Sequence, residues 1–216
     1  MYSSSGAAPQ PHHREHLLLL AIAAAVLLWS GIGPKDRLTW WLEVAPVLIG
    51  APLLIATYRR FPLTPLLYRL IFLHALVVMV GGHYTYAEVP IGDWVRDWLH
   101  LARNNYDRFG HLMQGLVPAM ISREILVRRS PLAGSRWLPF LVVCVVMSIS
   151  VTYEFIEWWT ALIMGGSAES FLALQGDVWD TQWDMFLALC GAVLALLVFS
   201  RLHDRQLERL RHSARR

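Results

Sequence analysis

Residues 137–162 read Trp-Leu-Pro-Phe-Leu-Val-Val-Cys-Val-Val-Met-Ser-Ile-Ser-Val-Thr-Tyr-Glu-Phe-Ile-Glu-Trp-Trp-Thr-Ala-Leu, and the first half of this stretch is almost wholly apolar. A helix needs about 20 mostly apolar residues to cross the hydrocarbon core of a bilayer. The stretch therefore predicts a membrane-spanning helix over Trp137–Leu162. Its second half carries Glu154 and Glu157, two ionisable groups that are costly at membrane depth.

Five further stretches have the length and apolar character of membrane spans. They are Leu17–Ile32, Trp40–Thr57, Leu66–Thr85, Phe109–Val127 and Thr181–Leu202. The fourth of the six in chain order, Phe109–Val127, is the least hydrophobic, because Gly110, Gln114 and Pro118 interrupt it. A shorter or partly hydrated helix is the alternative there. The sequence thus predicts an all-α fold, a polytopic transmembrane helix bundle of about six spans.

The composition of the whole chain supports this fold class. Of 216 residues, 56% are apolar and 16% are charged, and the mean hydropathy is +0.41. A soluble domain carries about 25% charged residues, so this chain has too few to cover a globule of its apolar content. The apolar content also excludes a disordered chain, and two cysteines exclude a disulfide scaffold.

The distribution of basic residues predicts the orientation of the spans. Alternating the sides of six spans places 14 of the 19 Lys and Arg on one side and five on the other. Basic residues accumulate in cytoplasmic loops, so both termini are predicted to be cytoplasmic. The predicted organisation is a flexible polar tail over 1–16, a six-span domain over 17–202 and a basic cytoplasmic tail over 203–216. This asymmetry explains the basic character without a nucleic-acid partner, and the lipid bilayer is the expected partner.

The segment between the third and fourth spans predicts an additional short helix. Its apolar residues Trp94, Val95, Trp98 and Leu99 follow a helical period, with Arg96 and Asp97 between them. Such an amphipathic pattern is typical of a helix that lies in the plane of the membrane interface.

The predicted orientation places ionisable side chains from four spans at one membrane level, near the outer ends of those spans. Asp107 and His111 are four residues apart, as are Asp180 and Asp184, and Glu154 and Glu157 are three apart, so each pair projects from one helix face. The complete set of predicted metal ligands is His83, Asp107, His111, Glu154, Glu157, Asp180 and Asp184.

Carboxylates gathered at membrane depth repel one another unless a cation, a proton or a basic side chain compensates them. Carboxylates with imidazole suit a divalent metal such as Zn, Mn, Fe or Ca. The residues expected to take part in catalysis are Asp107, His111, Glu157 and Asp184. The alternatives are pairing with Arg103 and Arg108, or a hydrogen-bonded polar layer without a ligand.

Four segments resemble the YjdF-type family of bacterial inner-membrane proteins. They are 83–90 (His-Tyr-Thr-Tyr-Ala-Glu-Val-Pro), 104–115 (Asn-Asn-Tyr-Asp-Arg-Phe-Gly-His-Leu-Met-Gln-Gly), 153–159 (Tyr-Glu-Phe-Ile-Glu-Trp-Trp) and 176–188 (Gly-Asp-Val-Trp-Asp-Thr-Gln-Trp-Asp-Met-Phe-Leu-Ala). The resemblance covers about residues 15 to 203 and implies a multi-pass protein of the bacterial inner membrane, without an established activity. The order of the acidic and histidine elements is also faintly similar to VanZ-like proteins.

Three classes of function fit these features. The first is a metal-dependent enzyme that acts on a lipid or an envelope-linked small molecule at the outer leaflet, with the metal activating water or polarising a phosphoryl group. The second is an ion- or proton-coupled transporter that uses the carboxylates as its ion site. The third is a non-catalytic membrane protein whose polar cluster fixes helix packing. The sequence specifies no oligomeric state.

Overall fold

A computed structural model describes residues 13–165 and 169–213, and these residues form helices joined by short turns. The helices are α1 (His13–Gly31), α2 (Arg37–Thr57), α3 (Pro65–Tyr84), α4 (Pro90–Leu99), α5 (Tyr106–Arg129), α6 (Trp137–Met164), α7 (Glu169–Leu172) and α8 (Asp180–Ser213), and a 3-10 turn covers Tyr86–Glu88. The predicted all-helical, polytopic fold is therefore confirmed.

Five of the described helices, α1, α2, α3, α6 and α8, are long and apolar enough to cross a membrane. They correspond to five of the six predicted spans. The remaining prediction, Phe109–Val127, falls within α5, whose 24 residues extend for about 36 Å but are too polar to count as a span on composition. Since α5 packs against α3, α6 and α8, its polar residues face protein rather than lipid.

Helices α5 and α8 approach closely because glycine stands at the points where they cross. A β-carbon at Gly115 would clash with the backbone of Ala188, and one at Gly191 would clash with the backbone oxygen of Leu112. Small residues at such crossings allow van der Waals contact between helix backbones in membranes. This contact brings the N-terminal turns of α5 and α8 side by side.

The apolar core lies between α3, α5, α6 and α8. Leu67, Met120, Val142 and Ala188 are completely buried there. Large apolar side chains elsewhere on the spans are exposed, such as Ile163 and Leu197 at 80% and 78%, as expected of surfaces that contact lipid.

The segment between α3 and α5 contains the predicted short helix, α4. Trp94 and Trp98 are 73% and 79% exposed on one side of it, while Gly92 is buried against Asn104. The Asn104 side chain donates a hydrogen bond to the backbone oxygen of Val89, which fixes the start of α4.

The structure describes the two segments predicted as tails to different extents. The predicted N-terminal tail lies mostly outside the described residues, and α1 already begins at His13. Helix α8 continues from its apolar part into the basic segment as far as Ser213, and His203 and Leu207 are buried within that extension. The first part of the predicted C-terminal tail is therefore packed against the bundle.

Candidate functional site

The polar side chains predicted to converge come from the N-terminal turns of α5 and α8 and the C-terminal half of α6. Because α6 runs opposite to α5 and α8, these parts lie at one end of the bundle. His111 of α5 is 6% exposed and lies at the centre of the cluster. Two groups of potential metal ligands share this imidazole.

The first group consists of Asp107, His111 and Asp184, whose ligand atoms lie within 4.8 Å of one another. His111 Nε2 is 3.6 Å from Asp107 Oδ1 and 3.8 Å from Asp184 Oδ1. These separations exceed hydrogen-bond length. Three ligand atoms from two helices thus lie close together without hydrogen-bonding to one another.

His111 Nδ1 lies 2.8 Å from Oε1 of Gln114. In the tautomer that carries its proton on Nδ1, this nitrogen donates a hydrogen bond to Gln114. In the neutral imidazole, Nε2 then has a free lone pair facing Asp107 and Asp184. This arrangement, in which the second ring nitrogen donates to a neighbouring oxygen, is typical of metal-binding histidines.

The second group consists of His111 with Glu154 and Glu157 of α6, again with ligand atoms within 4.8 Å. Glu154 is 6% exposed, and neither of its carboxylate oxygens has a hydrogen-bond partner among the described residues, nor does Asp184 Oδ1. Thr181 approaches Glu154 but does not meet hydrogen-bond geometry. Buried carboxylate oxygens normally have partners, so these three oxygens are available to a ligand.

The structure adds Glu43 of α2, which the sequence analysis did not assign to the cluster. Glu43 is 7% exposed and accepts a 2.8 Å hydrogen bond from the hydroxyl of Tyr153. Tyr86, in the turn after α3, lies beside Glu43, and burial raises the pKa of its phenol well above the usual value. Glu43 is the only ionisable residue within α2 after its first residue, and that isolation was the available signal.

Asp180 is a predicted ligand that the structure pairs with a basic side chain instead. Its Oδ1 accepts a 2.5 Å hydrogen bond from Arg103, and Arg108 makes a bond of the same length to Asp177. Arg103 also lies 3.6 Å from Asp177. Asp180 is in neither ligand group. The alternative of arginine pairing thus applies to Asp180 but not to Asp107 or Asp184 among the described residues.

His83, the remaining predicted ligand, lies apart from both groups. Its Nδ1 is 3.0 Å from the backbone oxygen of Ser30, and its ring packs 4.3 Å from the ring of Trp29 on α1. The membrane level expected for His83 does not determine the direction in which its side chain points. Contacts with α1 set that direction. We therefore leave His83 and Asp180 out of the site proposed below.

A second buried polar network occupies the opposite end of α5, and the sequence analysis did not identify it. Glu124 is completely buried and accepts hydrogen bonds from Thr64, Arg128 and His203 at 2.7–3.2 Å. His203 Nδ1 in turn lies 2.8 Å from Arg123, which also bonds to Asp204. Its charges are balanced within the chain, in contrast to the cluster around His111.

Comparison with known proteins agrees with this architecture. A family model described as "Predicted membrane protein (DUF2238)" matches residues 15–205. The chain is 57% identical over 184 residues to the inner membrane protein YjdF of Escherichia coli (strain K12), which covers 85% of this chain and 88% of that relative. No solved structure matches the chain. The predicted family and the multi-pass location in the bacterial inner membrane are confirmed.

Proposed function

The chain belongs to the DUF2238 family of predicted membrane proteins, and we propose that it is a metal-dependent enzyme of the inner membrane. In this proposal Asp107, His111 and Asp184 hold a divalent metal ion. The ion serves a reaction on a lipid or an envelope-linked small molecule. The observation that carries the proposal is the convergence of three buried ligand atoms, His111 Nε2, Asp107 Oδ1 and Asp184 Oδ1. The last of these has no hydrogen-bond partner among the described residues.

The excess of acidic over basic side chains in the cluster supports a cation rather than a purely structural cluster. Glu43, Asp107, Glu154, Glu157 and Asp184 face a single imidazole, while the two neighbouring arginines pair with Asp177 and Asp180. Like charges that are buried together raise the free energy of the folded protein. A divalent ion relieves that repulsion and also gives the unpartnered oxygens a partner.

The donor set indicates which metal the site would take and what chemistry it would serve. Carboxylates with one imidazole suit Zn, Mn or Fe(II), and Ca is less suited because it prefers oxygen ligands alone. A metal held by three side chains keeps open positions where water or a phosphoryl oxygen binds and is activated. Glu154, whose two carboxylate oxygens have no partner among the described residues, would supply a general base next to His111, and Glu157 lies in the same ligand group.

The first experiment measures metal in the purified protein by elemental analysis. We expect about one equivalent of Zn, Mn or Fe in the wild type and a loss of most of it in Asp184→Asn and His111→Gln. Asp97→Asn, which removes an exposed carboxylate on α4, serves as the matched control. Equal metal content in the wild type and the site variants would overturn the metal site.

The second experiment tests the reaction itself. Wild-type protein in detergent is loaded with Zn or Mn and incubated with inner-membrane lipid extract, and products are identified by mass spectrometry. We expect new products that require both metal and Asp184 and that still form with Asp97→Asn. A metal-loaded protein that leaves every lipid class unchanged would contradict the enzymatic part of the proposal and leave the metal site intact.

A further inference from the structure

A deep groove runs along the bundle between α1 and α2, and the cluster around His111 is not part of it. Both helices pack against α3, which forms the floor together with α5. The two helices meet at one end through the hydrogen bond from Trp40 to Ser30, and at the other end His16 Nδ1 lies 3.0 Å from the Tyr58 hydroxyl. Between these contacts a cavity of about 960 Å³ remains.

The wall of the groove is apolar over most of its length and open to the surrounding lipid. Leu17 and Leu20 on α1 and Leu53 on α2 line it, and they are 52%, 40% and 61% exposed. From Pro46 to Arg59 the groove follows α2 for about 20 Å. A leaflet contributes about 15 Å of the hydrocarbon core. The groove is therefore as long as an acyl chain that extends from the interface past the centre of the bilayer.

One end of the groove is strongly basic. Arg59 and Arg60 follow directly after α2 and line this end. Neither arginine forms an ion pair within residues 13–165 and 169–213, whereas Arg69 nearby in sequence pairs with Glu15. The two guanidinium groups are exposed and have no anionic partner in the part of the chain that the structure describes. At the mouth of an acyl-sized groove they match an anionic headgroup attached to a hydrocarbon chain.

We propose that the groove between α1 and α2 is a specific binding site for one anionic phospholipid, whose phosphate contacts Arg59 and Arg60 and whose acyl chain lies along α2. The groove is concave, apolar along its length and basic at its mouth. This site is independent of the proposed metal centre, because the two share no residue.

Gly50 allows the groove to be filled without disturbing the fold. It lines the groove, and a β-carbon at Gly50 would have no atom within 4 Å. Gly50→Phe therefore places a ring in the space assigned to the acyl chain. Ile49→Phe adds the same ring at a neighbouring position that is 70% exposed and outside the groove, so it is the matched control.

The experiment is native mass spectrometry of the detergent-purified full-length protein after exchange into micelles containing phosphatidylglycerol or phosphatidylethanolamine. We expect the wild type and Ile49→Phe to retain one phosphatidylglycerol at least tenfold more strongly than phosphatidylethanolamine. Gly50→Phe should lose both lipids. The double variant Arg59→Gln/Arg60→Gln should retain both equally, whereas Arg201→Gln/Arg205→Gln, which removes the same charge from α8, should behave as wild type.

Two results would overturn the proposal. Equal retention of both lipids by the wild type would contradict headgroup recognition, and unchanged phosphatidylglycerol retention by Gly50→Phe would show that lipid binds elsewhere. Circular dichroism and melting temperature establish that each variant is folded, and Gly50→Leu replaces Gly50→Phe if the larger ring impairs folding.

Discussion

Tyr153 on α6 donates a 2.8 Å hydrogen bond to Oε2 of Glu43 on α2. The bond joins two helices that pack mainly against other partners, α2 against α3 and α6 against α5 and α8. It also holds Glu43 at the edge of the cluster around His111. The bond therefore links α2 to α6 at the edge of the candidate site.

Removal of this hydroxyl tests the link. Tyr153→Phe leaves Glu43 without its donor in a buried position, and loss of one partner of a buried acceptor costs about 1–3 kcal/mol. We expect a corresponding drop in the free energy of unfolding of the detergent-solubilised protein. Tyr84→Phe is the control, because no hydrogen bond of the Tyr84 hydroxyl is found among the described residues. Equal stability of the two variants would contradict this role of Tyr153.

Substitution in the polar network around Glu124, at the opposite end of α5, should lower stability more than Tyr153→Phe does. Glu124→Ala leaves Arg128 and the backbone of Thr64 without their shared acceptor in a fully buried position. Breaking a buried ion pair from one side costs about 3–5 kcal/mol. We expect a large decrease in melting temperature in detergent, whereas Glu208→Gln on the exposed surface of α8 should change it little. A Glu124→Ala protein as stable as wild type would show that the network is dispensable.

Much of the fold was predictable because a helix that crosses lipid needs about 20 mostly apolar residues in sequence. The apolar stretch over Trp137–Leu162 became α6 with nearly the same bounds, Trp137–Met164. The exception is α5, whose polar residues are satisfied partly within the helix and partly by neighbouring helices. A polar helix at the centre of a bundle is recognisable only when its partners are known.

The sequence predicted the level along the spans at which the candidate site lies, but not the direction in which each side chain points. His111 and Asp107 come together because a spacing of four residues fixes their common face. His83 has no such partner on its own helix, and its ring turns toward Trp29 of α1. Glu124 and His203 were not identified because polar residues are ordinary near the ends of spans, and their contact joins positions 79 residues apart.

The close crossing of α5 and α8 predicts that two glycines cannot be replaced. Gly115→Ala and Gly191→Ala would each place a methyl group against helix backbone, which cannot move aside as a flexible side chain can. Overpacking of this kind costs about 1–3 kcal/mol. Because the crossing also positions Asp107 and Asp184, we expect lower metal content along with a lower melting temperature.

Gly50→Ala is the control for the crossing, since its added methyl group meets no atom within 4 Å. Alanine favours a helix over glycine by about 1 kcal/mol, so this variant should be as stable as wild type or slightly more stable. If Gly115→Ala behaved in the same way, the backbone contact between α5 and α8 would not determine stability.

The acids without partners in the cluster around His111 predict effects of opposite sign on stability in the absence and in the presence of metal. In protein stripped of metal by a chelator and held at alkaline pH, where the buried carboxylates ionise, Asp184→Asn removes one of several buried negative charges, so it should raise the free energy of unfolding by about 1–2 kcal/mol. Metal at 100 times its dissociation constant should stabilise the wild type by about 2.7 kcal/mol and should not stabilise this variant. The measurement is the melting temperature of both proteins with and without Zn or Mn, with Asp97→Asn expected to follow the wild type. A cluster held only by helix packing would give the opposite pattern, with Asp184→Asn destabilising at every metal concentration and the wild type indifferent to metal.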